Sequence, residues 1–256
     1  MDIQPQPPSR VLLLGDNCTD VYRYGTVDRI SPEAPVPVFR FTHEETKPGM
    51  AGNVRENLRN LGCEVRDYLG VPSTKTRFID VRSRQHVLRV DDDHTNQPIE
   101  FTNIDPEDLT WAEAIVISDY AKGFIDGRLL RDLRRAYQGP IFIDTKQPDL
   151  GRLSGFIVKI NESEHRARSS NAELMIVTLG ARGAMLLEAR QPERTFPAPQ
   201  VEVSDVCGAG DTFLAALTRE YLMSGDLARA TAFAVRAAAV TVQHLGVYAP
   251  RIEEIQ

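Results

Sequence analysis

The sequence predicts an α/β fold in which helices cover both faces of a mainly parallel sheet and a small antiparallel sheet projects as a lid. In the second half of the chain, short apolar strands alternate with helical segments, an order typical of parallel sheets. In the first third, two strand pairs alternate apolar with charged side chains, as strands do when one face meets water. A chain of 256 residues fits one large domain carrying such a lid.

Composition and charge narrow the classes of function. A formal net charge of -6 argues against a broad nucleic-acid-binding face. Cys18, Cys63 and Cys207 are widely separated and lack metal-ligand spacing, which indicates reduced thiols in a cytoplasmic protein. No apolar run approaches the length of a membrane span, and the polar residues 1–9 predict a disordered lead rather than a signal peptide.

The first predicted strand is a continuous apolar run at residues 10–15, followed by Asp16 and Asp20. Polar groups that follow a buried parallel strand lie where α/β proteins bind ligands. The spacing of these two aspartates also suits a solvated turn. The lid is expected at about residues 21–45 and 75–92, where strand-like runs are broken by prolines and polar turns.

A helix is expected between the two halves of the lid, starting near residue 49, continuing to Asn60 and ending at Gly62. Gly49 and its neighbours allow a ligand to approach the backbone closely. Asn53 falls in the first turn, where it either contacts that ligand or only serves the helix end.

Strands and helices alternate regularly after the lid. Strands are predicted at residues 114–118, 140–144, 156–160, 173–178 and 184–187, and helices at 126–137, 214–223 and 227–244. Nearly every parallel strand ends in a cluster of charged or polar residues. Because the carboxyl ends of parallel strands meet at one edge of a sheet, we expect a single ligand site there.

The strongest functional signal is the stretch at residues 203–213, which predicts a glycine turn and then a helix from about Gly208. Gly208 and Gly210 permit close approach of a ligand, and the free N–H groups of a helix start suit a phosphate. Asp211 in the first turn is either an acid favoured by the helix dipole or a base aimed at a hydroxyl.

The other charged groups expected at the same edge favour phosphoryl transfer, which depends on positioning and charge neutralisation. They are Glu164, Lys122, Lys146 and Arg182, beside a second glycine turn at residues 180–183. Walker-type, protein-kinase and Gly-x-Ser-x-Gly sequences do not occur.

Several motifs resemble the ribokinase-like carbohydrate kinases, the phosphofructokinase-B family. They are Gly-Ala-Gly-Asp-Thr-Phe at 208–213, Asn-Glu-Ser-Glu at 161–164 and Thr-Leu-Gly-Ala-Arg-Gly at 178–183. Residues 29–38, 76–92 and 118–123 resemble one branch, whose kinase domain phosphorylates D-glycero-D-manno-heptose 7-phosphate at the anomeric position. The resemblance implies a three-layer α/β/α sandwich over residues 10–256 and an ATP-dependent sugar kinase.

The resemblance also implies roles for individual residues. Asp211 would deprotonate the sugar 1-hydroxyl, and Gly208, Ala209 and Gly210 would form the anion hole for the transferred phosphate. The residues implied on the sugar side are Asp20, Gly49, Asn53, Arg82, Asp119 and Lys122.

Those implied on the nucleotide side are Asn161, Glu164, Thr178, Gly180, Gly183 and Lys159. Mg²⁺ would be held by Glu164 and, through water, by Asn161. Whether K⁺ also binds, at a loop containing Asp205, stays open. Sugar phosphate and ATP are the implied partners, without nucleic acid or membrane, and the implied assembly is a homodimer formed through the lid.

The sequence departs from the family at Met50, where a glycine is usual, at Cys207 in place of a threonine, and at Val235 in place of an asparagine. The segments at 70–74 and 164–173 are also short. Two alternatives therefore stay open: a non-catalytic sugar-phosphate or nucleotide-binding module, and a kinase for a fructose phosphate, a pentose or a nucleoside. Lys122 and the lid arginines favour a phosphorylated sugar over a neutral nucleoside.

Overall fold

The computed structural model describes residues 7–147, 153–167 and 172–255. The strands are β1 (Arg10–Gly15), β2 (Asn17–Ile30), β3 (Pro37–Met50), β4 (Glu64–Leu69), β5 (Ser73–Asp80), β6 (Gln85–Asp92), β7 (Ala114–Asp119), β8 (Ile141–Thr145), β9 (Ile157–Asn161), β10 (Leu174–Thr178), β11 (Ala184–Glu188) and β12 (Arg194–Phe196). The α-helices are α1 (Ala51–Asn60), α2 (Pro106–Trp111), α3 (Gly127–Ala136), α4 (Glu162–Ala167), α5 (Ala209–Ser224) and α6 (Leu227–Thr241). Residues 1–6 of the predicted disordered lead lie outside the described residues.

The central sheet has eight strands in the order β12-β11-β10-β9-β8-β7-β1-β4. All pairs from β10 to β4 are parallel, and β11 and β12 add an antiparallel edge. The predicted mainly parallel sheet is therefore confirmed. Its inner strands are buried on both faces, which explains their continuous apolar sequences.

Two hydrophobic clusters, one on each face of the sheet, build the layers. Successive side chains of a strand point to opposite faces, so Leu13 joins the cluster with Phe213 of α5 and Ala234 of α6, whereas Leu12 joins the cluster with Leu133 of α3. Helix α1 lies with α5 and α6. The result is the expected three-layer α/β/α sandwich.

The lid is a four-stranded sheet in the order β3-β2-β5-β6. Strands β2–β3 and β5–β6 form antiparallel hairpins, and β2 pairs with β5 in parallel. The parallel pair follows from the central sheet: β2 continues from β1 and β5 from β4, and β1 and β4 are parallel neighbours. The first lid strands also extend beyond the predicted residues 21–45, because β2 begins at Asn17 and β3 ends at Met50.

The sequence did not predict β4, α2, α4 or β12. Strand β4 lies at the edge of the central sheet and is half exposed, so charged residues interrupt its apolar pattern. Only three residues separate β4 from β5, in agreement with the expected short segment at 70–74. Within the described residues, no helix combines the length and apolar character needed to cross a membrane.

Candidate active site

Asp211 lies in the first turn of α5 and is 5% exposed. Its Oδ2 accepts a hydrogen bond from Asn53 Nδ2 at 2.9 Å, and its Oδ1 accepts one from the Tyr120 hydroxyl at 2.8 Å. Asn57 donates to Asn53 Oδ1 at 3.2 Å, which leaves the Asn53 amide nitrogen facing Asp211. Burial raises the pKa of Asp211 to about 6, although both hydrogen bonds favour the ionised form. The carboxylate is thus poised to take a proton near neutral pH.

The glycine turn before α5 packs closely against two polar side chains. Gly208 has a φ of 78°, and a Cβ there would lie 2.7 Å from Asn53 Nδ2. A Cβ on Gly210 would lie 2.9 Å from Lys159 Nζ. The Lys159 ammonium group therefore lies beside a helix start that already favours anions. The Ala209 N–H donates to the Val206 carbonyl at 3.3 Å, so an anion at this turn would be bound by the Lys159 charge and the neighbouring N–H groups.

Acidic and basic side chains alternate along the ends of β8 and β9. Lys159, which is 3% exposed, pairs with Asp144 Oδ2 at 2.6 Å. Asp144 Oδ1 is buried and has no hydrogen-bond partner among the described residues. Lys146 pairs with Glu164. An unsatisfied buried carboxylate oxygen next to these pairs is available to a cation or to water.

Asn161 and Glu164 cap the start of α4. Asn161 Oδ1 accepts a hydrogen bond from the Glu164 N–H at 2.9 Å, and Glu164 Oε2 accepts one from the Asn161 N–H at 2.9 Å. This reciprocal pair is a capping box. It fixes both side chains at the carboxyl end of β9. In residues 7–147, 153–167 and 172–255, no three His, Cys, Asp or Glu side chains cluster as a ready-made metal site.

The inner face of the lid supplies the other side of the cleft. Asp20, 4% exposed, forms a buried ion pair with Arg77. A Cβ on Gly49 would lie 2.1 Å from Asp20 Oδ2, so this position requires a glycine. Lys75 faces Asp20 across the β2–β5 pair, and its Nζ lies 5.8 Å from the centre of the Tyr120 ring. This face of the lid is therefore turned toward Asp211 and its partners.

The structure distributes the remaining predicted sugar-side residues between a loop and the lid tip. Asp119 is 1% exposed, and burial raises its pKa; it accepts hydrogen bonds from the Thr145 hydroxyl and the Ala121 N–H. Lys122 pairs with Asp93 at 2.6 Å. Arg82 is exposed at the turn after β5 and pairs with Asp28, so the structure does not bring it to Asp211.

A largely apolar pocket of about 420 Å³ opens on the other side of the glycine turn. Its walls include Thr178 and Gly180 after β10, Val206 before the turn, and Val235 and Ala239 on α6. The pocket also includes Ala209 and Gly210. A flat ring that filled the pocket would therefore end close to the start of α5. Pockets of this size and lining hold ligands such as a nucleoside.

Gly183 and Asp205 position the loops around this pocket. Gly183 has a φ of 93°, and a Cβ there would lie 1.9 Å from the Phe196 carbonyl oxygen, so the turn can pack on β12 only with glycine. Asp205 accepts hydrogen bonds from the N–H groups of Cys207 and Gly246. Although burial acts against the ionised form, these bonds leave the pKa of Asp205 below its ordinary value.

The sequence did not single out Tyr120, Asp144 or, among the lid arginines, Arg77, which the structure places beside the predicted site residues. Tyr120 and Asp144 lie at or next to the ends of predicted strands, which was the available signal. Arg77 occurs in a lid strand together with other arginines, and its charge alone did not distinguish it from exposed Arg82. The burial that separates the two, 7% exposure for Arg77 against an exposed Arg82, is a tertiary property.

The fold and the candidate site together define a class: an α/β protein with an apolar pocket on one side of a helix start and a buried carboxylate on the other. The chain belongs to the pfkB family of carbohydrate kinases, whose sequence pattern matches residues 114–254. The family and the enzyme class predicted from the sequence, a carbohydrate kinase, are thereby confirmed.

Comparisons with individual proteins agree with this assignment. The chain is 32% identical over 289 aligned residues to the "Bifunctional protein HldE" of Shewanella baltica strain OS185, covering 93% of this chain and 61% of that protein. It thus spans about three fifths of the length of this curated relative. The fold is similar to phosphofructokinase-2 from Escherichia coli in complex with potassium (TM-score 0.74, 17% identity, 98% of this chain and 97% of that one). It is also similar to Arabidopsis thaliana ribokinase complexed with ribose and ATP (TM-score 0.70, 16% identity, 97% of each chain).

Proposed function

We propose that this protein transfers the γ-phosphoryl group of ATP to the anomeric hydroxyl of D-glycero-β-D-manno-heptose 7-phosphate. The product would be the 1,7-bisphosphate, a precursor for ADP-heptose and lipopolysaccharide synthesis. The observation that carries the proposal is the buried Asp211 beside the glycine turn, with Asn53 and Tyr120 holding its two oxygens. The choice of heptose rests on the sequence resemblance at residues 29–38, 76–92 and 118–123.

In this proposal Asp211 accepts the proton of the sugar hydroxyl as that oxygen attacks the γ-phosphorus of ATP. The pKa of about 6 leaves the carboxylate mostly ionised at neutral pH and still basic enough to act. The N–H groups at Gly208 and Gly210, with the Lys159 ammonium group, neutralise charge that develops on the transferred phosphoryl oxygens, whereas the Ala209 N–H donates to the Val206 carbonyl at 3.3 Å. The apolar pocket beside α6 holds the adenine.

The acidic groups at the ends of β8 and β9 fit a magnesium ion. Mg²⁺ prefers carboxylate oxygens and water, and when bound it would neutralise charge on the ATP phosphates. Asp144 has a buried oxygen without a hydrogen-bond partner in the part of the chain that the structure describes, and Glu164 is fixed by its capping box. We assign the metal to Asp144 and Glu164, with Asn161 acting through water.

The charges on the inner lid face support a phosphorylated sugar. Paired residues in neighbouring strands project to one side, so Lys75, Arg77 and Arg89 share the face that looks onto Tyr120. Arg77 is paired with Asp20 and Arg89 with Asp91, whereas Lys75 has no ion-pair partner in the described residues. A neutral sugar or nucleoside has no group that needs such charge.

We further propose a cytoplasmic homodimer formed through the lid. The support is a set of exposed apolar residues concentrated in the lid and the turn within its first hairpin. They are Ile30, Val36, Phe41, Leu88 and Val90. Such a concentration is typical of a surface that another chain covers.

The test is a panel assay of ADP release with heptose 7-phosphate, fructose 6-phosphate, ribose and a nucleoside as acceptors. We expect turnover with heptose 7-phosphate and a loss of about 10²–10⁴-fold in folded Asp211→Asn, with the surface variant Asp132→Asn as control. The assay compares K⁺ with Na⁺, because Asp205 joins two loops where the family resemblance allows a monovalent cation. Preference for another acceptor would move the proposal to that substrate. ATP-induced thermal stabilisation without ADP release would replace it with the non-catalytic binding module.

A further inference from the structure

Tyr120 is the second side chain that holds Asp211, and it comes from the loop after β7. Its hydroxyl takes one carboxylate oxygen at 2.8 Å, and the Asn53 amide of α1 takes the other at 2.9 Å. Two donors from two separate elements prevent the carboxylate from rotating about its Cβ–Cγ bond. Each oxygen keeps a free lone pair for a further donor, such as a substrate hydroxyl.

The loop that carries Tyr120 is itself fixed by a buried carboxylate. Asp16, at the end of β1, is fully buried. Its oxygens accept hydrogen bonds from the N–H groups of Tyr120 at 2.8 Å, Lys122 at 3.0 Å and Phe124 at 3.3 Å. Three alternate N–H groups of one loop thus converge on a single side chain, which determines where the Tyr120 ring lies.

The loop also stores backbone strain. Ala121 has a φ of 56°, a left-handed conformation that costs free energy for a residue other than glycine. Its N–H donates to Asp119 at 2.9 Å, and Asp119 in turn accepts the Thr145 hydroxyl at 2.7 Å. A strained conformation persists only where its surroundings impose it, and here they impose it directly after Tyr120.

The Tyr120 ring lies between the sugar side and the metal side of the cleft. Lys75 Nζ on the lid is 5.8 Å from the ring centre, and Lys146 Nζ after β8 is 5.6 Å from it. Burial and the nearby Asp211 carboxylate keep the pKa of Tyr120 well above its ordinary value. The hydroxyl therefore stays protonated and remains a donor wherever the protein is folded.

We propose that Tyr120 is a positioning residue, whose hydroxyl fixes the plane of the Asp211 carboxylate and holds it in the ionised form. The inference rests on the proposed function, because it assigns Asp211 the role of base. Tyr120 need not touch the substrate for this role, since it acts through Asp211.

Removing the Tyr120 hydroxyl should change the pKa of Asp211 in one direction only. Polar and charged groups from five elements or their adjoining loops surround Asp211: Asn53 of α1, Tyr120 after β7, Asp144 and Lys146 at the end of β8, Lys159 of β9 and Cys18 of β2. The Cys18 thiol is neutral, since burial raises its pKa to about 12. In Tyr120→Phe every group except the hydroxyl remains. A donor to the ionised form is lost, so the pKa of Asp211 rises.

The first measurement does not require activity. Aspartate labelled with ¹³C at the carboxyl carbon is titrated by NMR in wild type and Tyr120→Phe, with Asp211→Asn used to assign the signal. We expect the Asp211 midpoint to rise by about one pH unit in Tyr120→Phe. Tyr137→Phe is the matched control, because that buried hydroxyl donates to the Ala112 carbonyl on the α3 side and should leave the midpoint unchanged.

The second measurement is the pH profile of ADP release with the acceptor found in the panel. We expect Tyr120→Phe to lower kcat about tenfold below pH 6 with little change in the KM for ATP, and to move the acid limb upward by the NMR shift. An unshifted or lowered Asp211 midpoint in folded Tyr120→Phe would overturn the inference, as would a lower kcat with an unmoved acid limb. A wild type without turnover refutes the proposed function instead, so the two failures are distinguishable.

Discussion

The burial of Asp211 has a stability consequence that can be measured without knowing the substrate. Its pKa rises from 3.8 to about 6 in the folded protein, so the native state binds this proton more tightly than the unfolded state does. The native state is therefore penalised as pH rises through the interval between these two values. At pH 7 and above, the penalty is about 3 kcal/mol.

Asp211→Asn should remove this penalty. The Asn side chain can still accept the Asn53 hydrogen bond through its oxygen, and its amide can donate to the Tyr120 hydroxyl, which also accepts. The variant should therefore become more stable than wild type, and its advantage should grow by about 2 kcal/mol between about pH 4.5 and pH 7.5. The same substitution should abolish most activity.

Urea unfolding followed by circular dichroism over this pH range measures the difference directly. Asp132→Asn in α3, a partly exposed position on the far side of the central sheet, is the matched control. A difference between Asp211→Asn and wild type that does not vary with pH would refute the argument. So would a wild type that is the more stable protein at pH 7.5, because either result means that Asp211 is not held at a raised pKa.

Two further predictions concern the turn at residues 180–183 and the lid. Gly183→Ala places a Cβ 1.9 Å from the Phe196 carbonyl oxygen and 2.7 Å from the Ala198 nitrogen, so β12 must shift. We expect a loss of more than about 2 kcal/mol in stability and weaker ATP binding by calorimetry. Gly180 also has a positive φ, but a Cβ there would meet no atom within 4 Å, so Gly180→Ala should lower the free energy of unfolding by only about 1 kcal/mol. Equal losses of stability in the two variants would contradict this prediction. For the lid, Phe41 is 58% exposed, and Phe41→Glu should convert the proposed dimer to a monomer. Light scattering measures the mass in solution, and a monomeric wild type would contradict the proposed dimer.

Much of the fold could be predicted because its inner strands are buried on both faces. A run such as residues 10–15 is continuously apolar only if no face meets water, and β7 and β8 show the same pattern. Strand β4 could not be predicted in this way. It lies at the sheet edge, where one side remains exposed and charged residues are tolerated, so no periodicity distinguishes it from a loop.

The candidate site also contains some features that the local sequence reveals and others that depend on tertiary contacts. Gly208 and Asp211 are recognisable because a glycine turn before a helix is a local feature. The pairing of Asp20 with Arg77 depends instead on the parallel contact of β2 with β5, which comes from the neighbouring positions of β1 and β4. Tyr120 belongs to this second group, because its loop conformation is set by Asp16, more than 100 residues earlier in the chain.

Met50, where the sequence resemblance implies a glycine, lies in a strained backbone conformation. It has a φ of 50° and a ψ of −130° between β3 and α1, a conformation suited to glycine that costs about 1–3 kcal/mol for another residue. Its side chain is 4% exposed, and burial of a methionine contributes about 1.5–3 kcal/mol. The cost of the strained backbone and the gain from side-chain burial nearly cancel, so a methionine is tolerated at this position. The junction therefore still places Gly49 against Asp20 and Asn53 against Asp211, the contacts on which the proposed reaction depends.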